Sequence, residues 1–143
     1  MDAGQPLLLR SPAAVRPWQH VLEPLAGYLQ LARALLEHGD SFADAWNFGP
    51  ADEDARPVGW IADTLCRLHG TARWQQDGSP QPHEAHTLKL DSSKARARLG
   101  WQPRWHLQQA LQHTLAWHQA WRRGDDMLAC SQAQIAAYLQ EPA

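Results

Sequence analysis

Cysteine is scarce: Cys66 and Cys130 are the two in 143 residues. They have neither the number nor the spacing for a zinc cluster or a disulfide framework, so a reducing compartment, the cytoplasm, is expected. No apolar run approaches the roughly 20 residues that a membrane span needs. The one apolar block near the start, PLLL in "MDAGQPLLLRSP", is too short for a signal peptide and lies behind an acidic residue at position 2. An excess of positive charge is also missing: the formal net charge is -2, which speaks against nucleic acid as a bulk partner. There is no glycine-rich phosphate loop and no serine in a nucleophile elbow. Internal repeats and low-complexity stretches are absent too. With 44% hydrophobic and 20% charged residues, the chain is expected to be one globular domain with a core of its own.

Tryptophan is abundant: eight in 143 residues. Packing between elements accounts for most of such residues. Some could line a groove for a flat or sugar-like ligand, because aromatic faces stack on both.

The local pattern alternates strands and helices, which predicts an α/β fold. PLLLR (6–10) reads as a short buried strand closed by Ser11-Pro12. Leu22, Leu25, Leu29, Ala32 and Leu36 recur at helical spacing, with Val21 at the entrance, and predict a helix over 23–39 that is stopped by Gly39. Pro24 is tolerable there only because it falls in the first turn. DAWNFG (44–49) reads as a strand, PADEDARP (50–57) as a polar loop, and 58–69 as a helix with Ile61, Leu65 and Leu68 on one face. ARWQQ (72–76) is a further strand and DGSPQP (77–82) a turn-rich break. HTLKLD (86–91) alternates like a half-exposed strand. A short helix in SSKARARLG (92–100) has Asp91 or Ser92 as its cap, and a long one follows over 107–123. Its apolar face carries Leu107, Ala110, Leu111, Leu115 and Trp121, with Trp117 at the edge. A last helix covers 131–140, with Ser131 and Gln134 spaced as a capping box.

Few residues invite chemistry. His83 and His86 in HEAH are separated by one residue too few for the zinc-protease pattern, and the stretch looks extended. A loop, exposed or facing a ligand, is the reading. His113 and His118 are five apart on a helix and read as solvated or packing residues. Asp52, Glu53 and Asp54 read as a solvated loop. The residues alone contain no catalytic constellation.

The order of three stretches is more informative. "RPWQHVLEPLAGYLQLARAL", then "WNFGP", then "LKLDSSKARARLGWQPRWHLQQAL" resembles the C-terminal half of the extended short-chain dehydrogenases that act on nucleotide sugars. The carriers are an Arg-x-aromatic-x-x-Val-x-Asp/Glu signature after a strand, an Asn-x-Gly strand, and an Asp-x-Ser-Lys…Leu-Gly-Trp-x-Pro element. Within that superfamily, "FGPADEDARPVGW" and "HEAHTLKLDSSKARARLGWQPRW" are most similar to the CDP-glucose 4,6-dehydratase branch. The resemblance covers nearly the whole chain, so residues 1–143 are expected to be one substrate-binding lobe. It implies a two-lobe parent, a homo-oligomer, whose N-terminal Rossmann lobe binds NAD. The reaction it implies oxidises the sugar at C4, loses water across C5 and C6, and returns hydride to C6.

The same resemblance exposes what this chain does not contain. It has no G-x-x-G-x-x-G and no Tyr-x-x-x-Lys: Tyr28 is followed four residues on by Ala32, and Tyr138 by Pro142. The expectation is therefore a C-terminal portion lacking the Rossmann lobe, with no NAD bound by this chain alone and no activity alone. By resemblance, Arg16 reaches the diphosphate of a nucleotide sugar, CDP-glucose foremost, and Trp18 stands beside it. A guanidinium suits that task because it is always charged and offers a planar fork of donors. A second phosphate-binding arginine of many relatives would fall near Gln81; either His83 replaces it or this branch holds the nucleotide differently, and His83 and Glu84 are candidates for reading the branch-specific ligand. Arg16 is expected to share one concavity with the HEAH loop, and the strands at 6–10, near Trp46 and at 86–90 to converge beside it. Other nucleotide-sugar dehydratases or epimerases, and a non-catalytic nucleotide-sugar-binding module, are the alternatives.

Overall fold

The computed structural model describes residues 5–79 and 85–141. Among them the chain is α/β, with five helices and short strands. The strands are β1 (Leu7–Leu9), β2 (Val15–Pro17), β3 (Ala55–Pro57) and β4 (Trp74–Gln76). The helices are α1 (Leu22–His38), α2 (Val58–His69), α3 (Ser93–Leu99), α4 (Leu107–Arg123) and α5 (Met127–Gln140). Two 3-10 turns, Gly39–Phe42 and Asp52–Asp54, follow α1 and precede β3. No helix among the described residues is long and apolar enough to cross a membrane.

The strands make two separate pairs. β1 runs parallel to β4, and β2 runs antiparallel to β3. α2 connects the pairs: its first amides, Val58 N–H and Gly59 N–H, donate to the Ala14 and Pro12 carbonyls just before β2. Gly59 packs closely against this turn, since a Cβ there would lie 3.2 Å from the Pro12 carbonyl oxygen. Pro17 and Pro57 sit at the ends of β2 and β3, where a missing N–H costs no ladder bond, and they limit the ribbon to three residues per strand.

Two cores hold the helices. Phe48, Ala95 and Trp101 are buried between α1 and α3, with Leu31, Trp46 and Leu99 packed around them. Ile61, Leu107 and Leu111 are buried between α2 and α4, with Trp18, Trp60 and Leu65 against them. Trp105 is also buried. Most tryptophans thus serve packing, while Trp117 and Trp121 are exposed.

Several local expectations change. β1 is paired but not buried, because Leu7 and Leu8 face solvent and only Leu9 is covered. DAWNFG forms no strand; its backbone is held by side chains instead. Gln19 Nε2 donates to the Phe48 carbonyl at 2.7 Å, and Gly49 N–H donates to Ser92 Oγ at 2.7 Å. The stretch 86–91 forms a single parallel bridge, Val15 with Thr87, rather than a strand. β1 pairs apart from both of these stretches, so the three do not converge as strands. The polar loop at 50–57 ends in β3. The last helix starts at Met127, one turn before the expected Ser131–Gln134 box: Asp126 caps it by accepting from Leu128 and Ala129 N–H at 3.0 and 3.1 Å. Ser131 and Gln134 bond instead to the Met127 and His113 carbonyls.

Candidate functional site

The approach to α1 is a stretch in which nearly every residue is tied down. Val15 N–H donates to the His86 carbonyl at 2.7 Å, and its own carbonyl accepts from Leu88 N–H at 3.1 Å. β2 is therefore the middle line of a small patch, with β3 on one side and 86–88 on the other.

Arg16 sits on this middle line, half-buried. Its guanidinium donates to the Val15 carbonyl at 2.8 Å and the Ala85 carbonyl at 3.0 Å. Arg16 thus reaches the HEAH stretch at Ala85. His83 and Glu84, the other candidates there, lie outside the described residues, as does Gln81.

Trp18 is half-buried and packs into the α2–α4 core. Its indole N–H donates to the Arg56 carbonyl at 3.0 Å and pins β3 to the approach. Gln19 turns to Phe48. Both side chains thus find backbone carbonyls to bond.

Arg56 was not among the sequence candidates. The register of β2 and β3 pairs Val15 with Pro57, Arg16 with Arg56, and Pro17 with Ala55. Two Arg-Pro dipeptides therefore meet head to tail. Directly opposed residues of an antiparallel pair project from the same face, with Cβ atoms about 4.5–5.5 Å apart. Arg56 is exposed, and its guanidinium lies 5.6 Å above the Trp60 ring. The repeated Arg-Pro was the available signal, but reading 50–57 as a loop hid it.

The carboxylate of the helix signature, Glu23, is fully buried. It accepts from Arg104 N–H at 3.0 and 3.2 Å, from Trp105 N–H at 2.8 Å and from the Tyr138 hydroxyl at 2.7 Å. Burial, then the bond to Glu23, pushes the Tyr138 hydroxyl well above its ordinary range. The Arg104 guanidinium in turn donates to the carbonyls of Tyr138, Leu139 and Glu141 at the end of α5. Glu23 is thus a latch joining α1, the crossing before α4 and the end of α5, not a reacting group.

His20 is buried beside this latch. It meets Trp105 edge-on at 4.9 Å, and Trp105 stacks on His113 at 3.9 Å. Burial, followed by the charge of His113, brings the His20 pKa down to about 4.

Two concavities lie nearby. One of about 390 Å³ is mainly apolar and lies between His20, Val21, Leu22, Trp117 and Ile135. The other, of about 570 Å³, runs between the Asp52–Asp54 turn and Arg96, Arg104 and His106. Neither of these two is lined by Arg16 or Trp18. The acidic cluster is partly employed. Asp54 accepts from Leu107 N–H at 3.1 Å, and its pKa is raised by burial; Asp52 pairs with Lys89 at 3.2 Å.

Among the described residues there is no G-x-x-G-x-x-G turn of the kind that opens a dinucleotide-binding helix. A dinucleotide turn places glycines where a helix opens, so that N–H groups face the pyrophosphate. The four glycines with positive φ, Gly39, Gly70, Gly100 and Gly124, each follow the end of a helix. Among the described residues no cluster of side chains is arranged to hold a metal ion.

No family model matches the chain. It is 52% identical over 139 residues to CDP-glucose 4,6-dehydratase from Salmonella typhimurium, a match that covers 96% of this chain. The chain spans 39% of that relative's length, its C-terminal part. Over nearly its whole length, then, the chain is similar to the C-terminal portion of a CDP-glucose 4,6-dehydratase.

Proposed function

We propose that this chain is the part of a CDP-glucose 4,6-dehydratase that holds the nucleotide sugar, with Arg16 contacting its diphosphate. The observation that carries the reading is the 52% identity along 96% of the chain to an enzyme of that name. The approach to α1 supports it. Arg16 sits on a ribbon pinned from both sides, and a positioned guanidinium loses little freedom when it grips an anion. His83 and Glu84 remain candidates for reading the nucleotide. NAD and the proton-transferring groups of the reaction belong, in this reading, to protein beyond these residues.

The surface of α1 fits the same reading. Leu25, Leu29 and Leu36 are exposed to 45%, 73% and 90%, a stripe that would be covered by the NAD-binding portion of a two-lobe enzyme. The test is a chimera in which this chain replaces the matching C-terminal part of the Salmonella enzyme. Conversion of CDP-glucose to its 4-keto-6-deoxy product is expected. The 143-residue chain mixed with CDP-glucose and NAD is expected to form none. A chimera that folds and binds NAD yet leaves CDP-glucose untouched would exclude this function.

A further inference from the structure

α5 is short of both charge and cover. Its sequence, MLACSQAQIAAYLQ, is 14 residues without one charged side chain. α4 carries no Asp, Glu, Lys or Arg before Arg122, so the charges of this hairpin are gathered at its tip. The chain as a whole is 20% charged, which makes the two helices a marked exception. A helix that is apolar on all sides is ordinarily a buried one. Yet of the residues in α5 only Tyr138 is buried, and Leu128, Ile135 and Leu139 are exposed to 69%, 45% and 65%. Beside Ile135 opens the apolar concavity of about 390 Å³, walled by Val21, Leu22 and Trp117. Its polar groups already have partners. Thr114 Oγ1 donates to the Ala110 carbonyl at 2.8 Å and Ser131 Oγ to the Met127 carbonyl at 2.7 Å. Trp117 Nε1 donates to Ser131 Oγ at 3.0 Å, and Gln134 Nε2 to the His113 carbonyl at 2.8 Å. These walls ask no hydrogen bond of an occupant, so an apolar side chain fits them.

We propose that this face binds a second copy of the chain across a two-fold axis. A two-fold contact uses one patch twice, so the patch must carry both a hole and the side chain that fills it. Here it carries both. Leu128 and Ile135 are seven residues apart, which puts them on one face of α5 and roughly 10 Å apart along its axis. With α5 antiparallel to its mate, Leu128 of one copy enters the concavity beside Ile135 of the other, and the second copy returns the same contact. The axis then passes by Ser131 and Gln132. Ser131 is small and turns its hydroxyl to its own helix, so the two helices can approach there. The missing charge suits this occupant in particular. A different partner could answer a charge with its opposite, whereas near a two-fold axis a charge meets its own like and is repelled. The proposal does not rest on the nucleotide-sugar reading.

The test is sedimentation equilibrium of the full 143-residue chain across the micromolar range, where a monomer–dimer equilibrium is expected. Leu128→Lys and Ile135→Glu, both at exposed positions, should each raise the dimer Kd about tenfold or more. Far-ultraviolet circular dichroism should show the monomer fold unchanged. Mixing the two variants should restore the dimer: one of its two symmetric contacts becomes a lysine–glutamate pair and the other is unaltered. Leu29→Gln with Leu36→Gln should reduce association beyond the dimer and leave the dimer itself. If a charged variant unfolds, Leu128→Ala takes its place and is expected to weaken the dimer while the monomer stays folded. A chain that is monomeric throughout overturns the proposal and leaves the face to protein beyond these residues. A dimer that the α5 substitutions leave intact, or that the α1 substitutions remove instead, overturns it as well. So do two folded, weakened variants that fail to recover on mixing, because the pairing of Leu128 with Ile135 is what the two-fold contact requires.

Discussion

At the scale of single residues, the decisive group is Glu23. A buried carboxylate is costly unless hydrogen bonds replace its water. Here two backbone amides and one hydroxyl do so, from 81 to 115 residues away along the chain. Glu23→Ala would strand those donors in the interior. A loss of about 3–5 kcal/mol in unfolding free energy is expected, the usual cost of removing one side of a buried charged network. Glu23→Gln keeps one acceptor and should cost less. Urea denaturation with intrinsic tryptophan fluorescence measures both; a loss below about 1 kcal/mol for Glu23→Ala would show the latch to be idle. The sequence marked Glu23 as one position of a helix signature but not its role, because its partners come from 104–105 and 138. Arg16 was marked as a candidate by the same signature. That Arg56 lies opposite it was not legible, since no local pattern announces a strand register.

At the scale of elements, the helices were the readable part. α2 and α4 lie where apolar periodicity put them, and α1 is displaced by one residue at each end. What periodicity misjudged was the face of α1 that packs. The inward residues are Glu23, Gly27, Leu31 and Ala34, while the stripe of Leu25, Leu29 and Leu36 faces out. Packing chose the smaller face because the Phe48 ring lies against Gly27: a Cβ there would come within 2.3 Å of it. A periodic stripe says that a face wants to be covered, not by what. Leu29→Gln and Leu36→Gln together are therefore expected to change the chain's own stability by no more than about 0.5 kcal/mol each. They should also reduce concentration-dependent self-association, read by sedimentation velocity. A loss of several kcal/mol would mean that the stripe is part of this chain's core. The strands were less legible. The stretches 44–49 and 86–91 have the alternation of strands, but their backbone groups are taken by Gln19, Ser92 and Val15 rather than by ladders.

At the scale of the whole molecule, the α4–α5 hairpin is tied to the rest by the α2–α4 core and by a second neighbourhood, where Glu23, His20, Trp105 and Tyr138 meet. That junction has a titration of its own. Imidazole in an unfolded chain has a pKa near 6.5, and burial lowers that of His20 in the folded state to about 4. Between these values the unfolded chain binds a proton that the folded chain refuses. Stability from this group is therefore complete above about pH 6.5, falls as the pH drops through the interval, and stops falling below about pH 4. The carboxylates act in both directions. The bond to Lys94 lowers the pKa of Asp44, and the hydroxyl of Ser93 that of Asp91, whereas burial raises that of Asp54. His20 is therefore separated from them by substitution rather than by the choice of pH. Thermal unfolding between about pH 6.5 and about pH 4.5 should show a steady decline in Tm. In His20→Gln, which retains a polar side chain that cannot charge, the decline should be markedly shallower, whatever its starting Tm. Because Trp105 stacks on His113 and touches His20, its near-ultraviolet circular dichroism should lose intensity along the same curve. Equal slopes for His20→Gln and the unaltered chain would place the acid sensitivity elsewhere in the molecule.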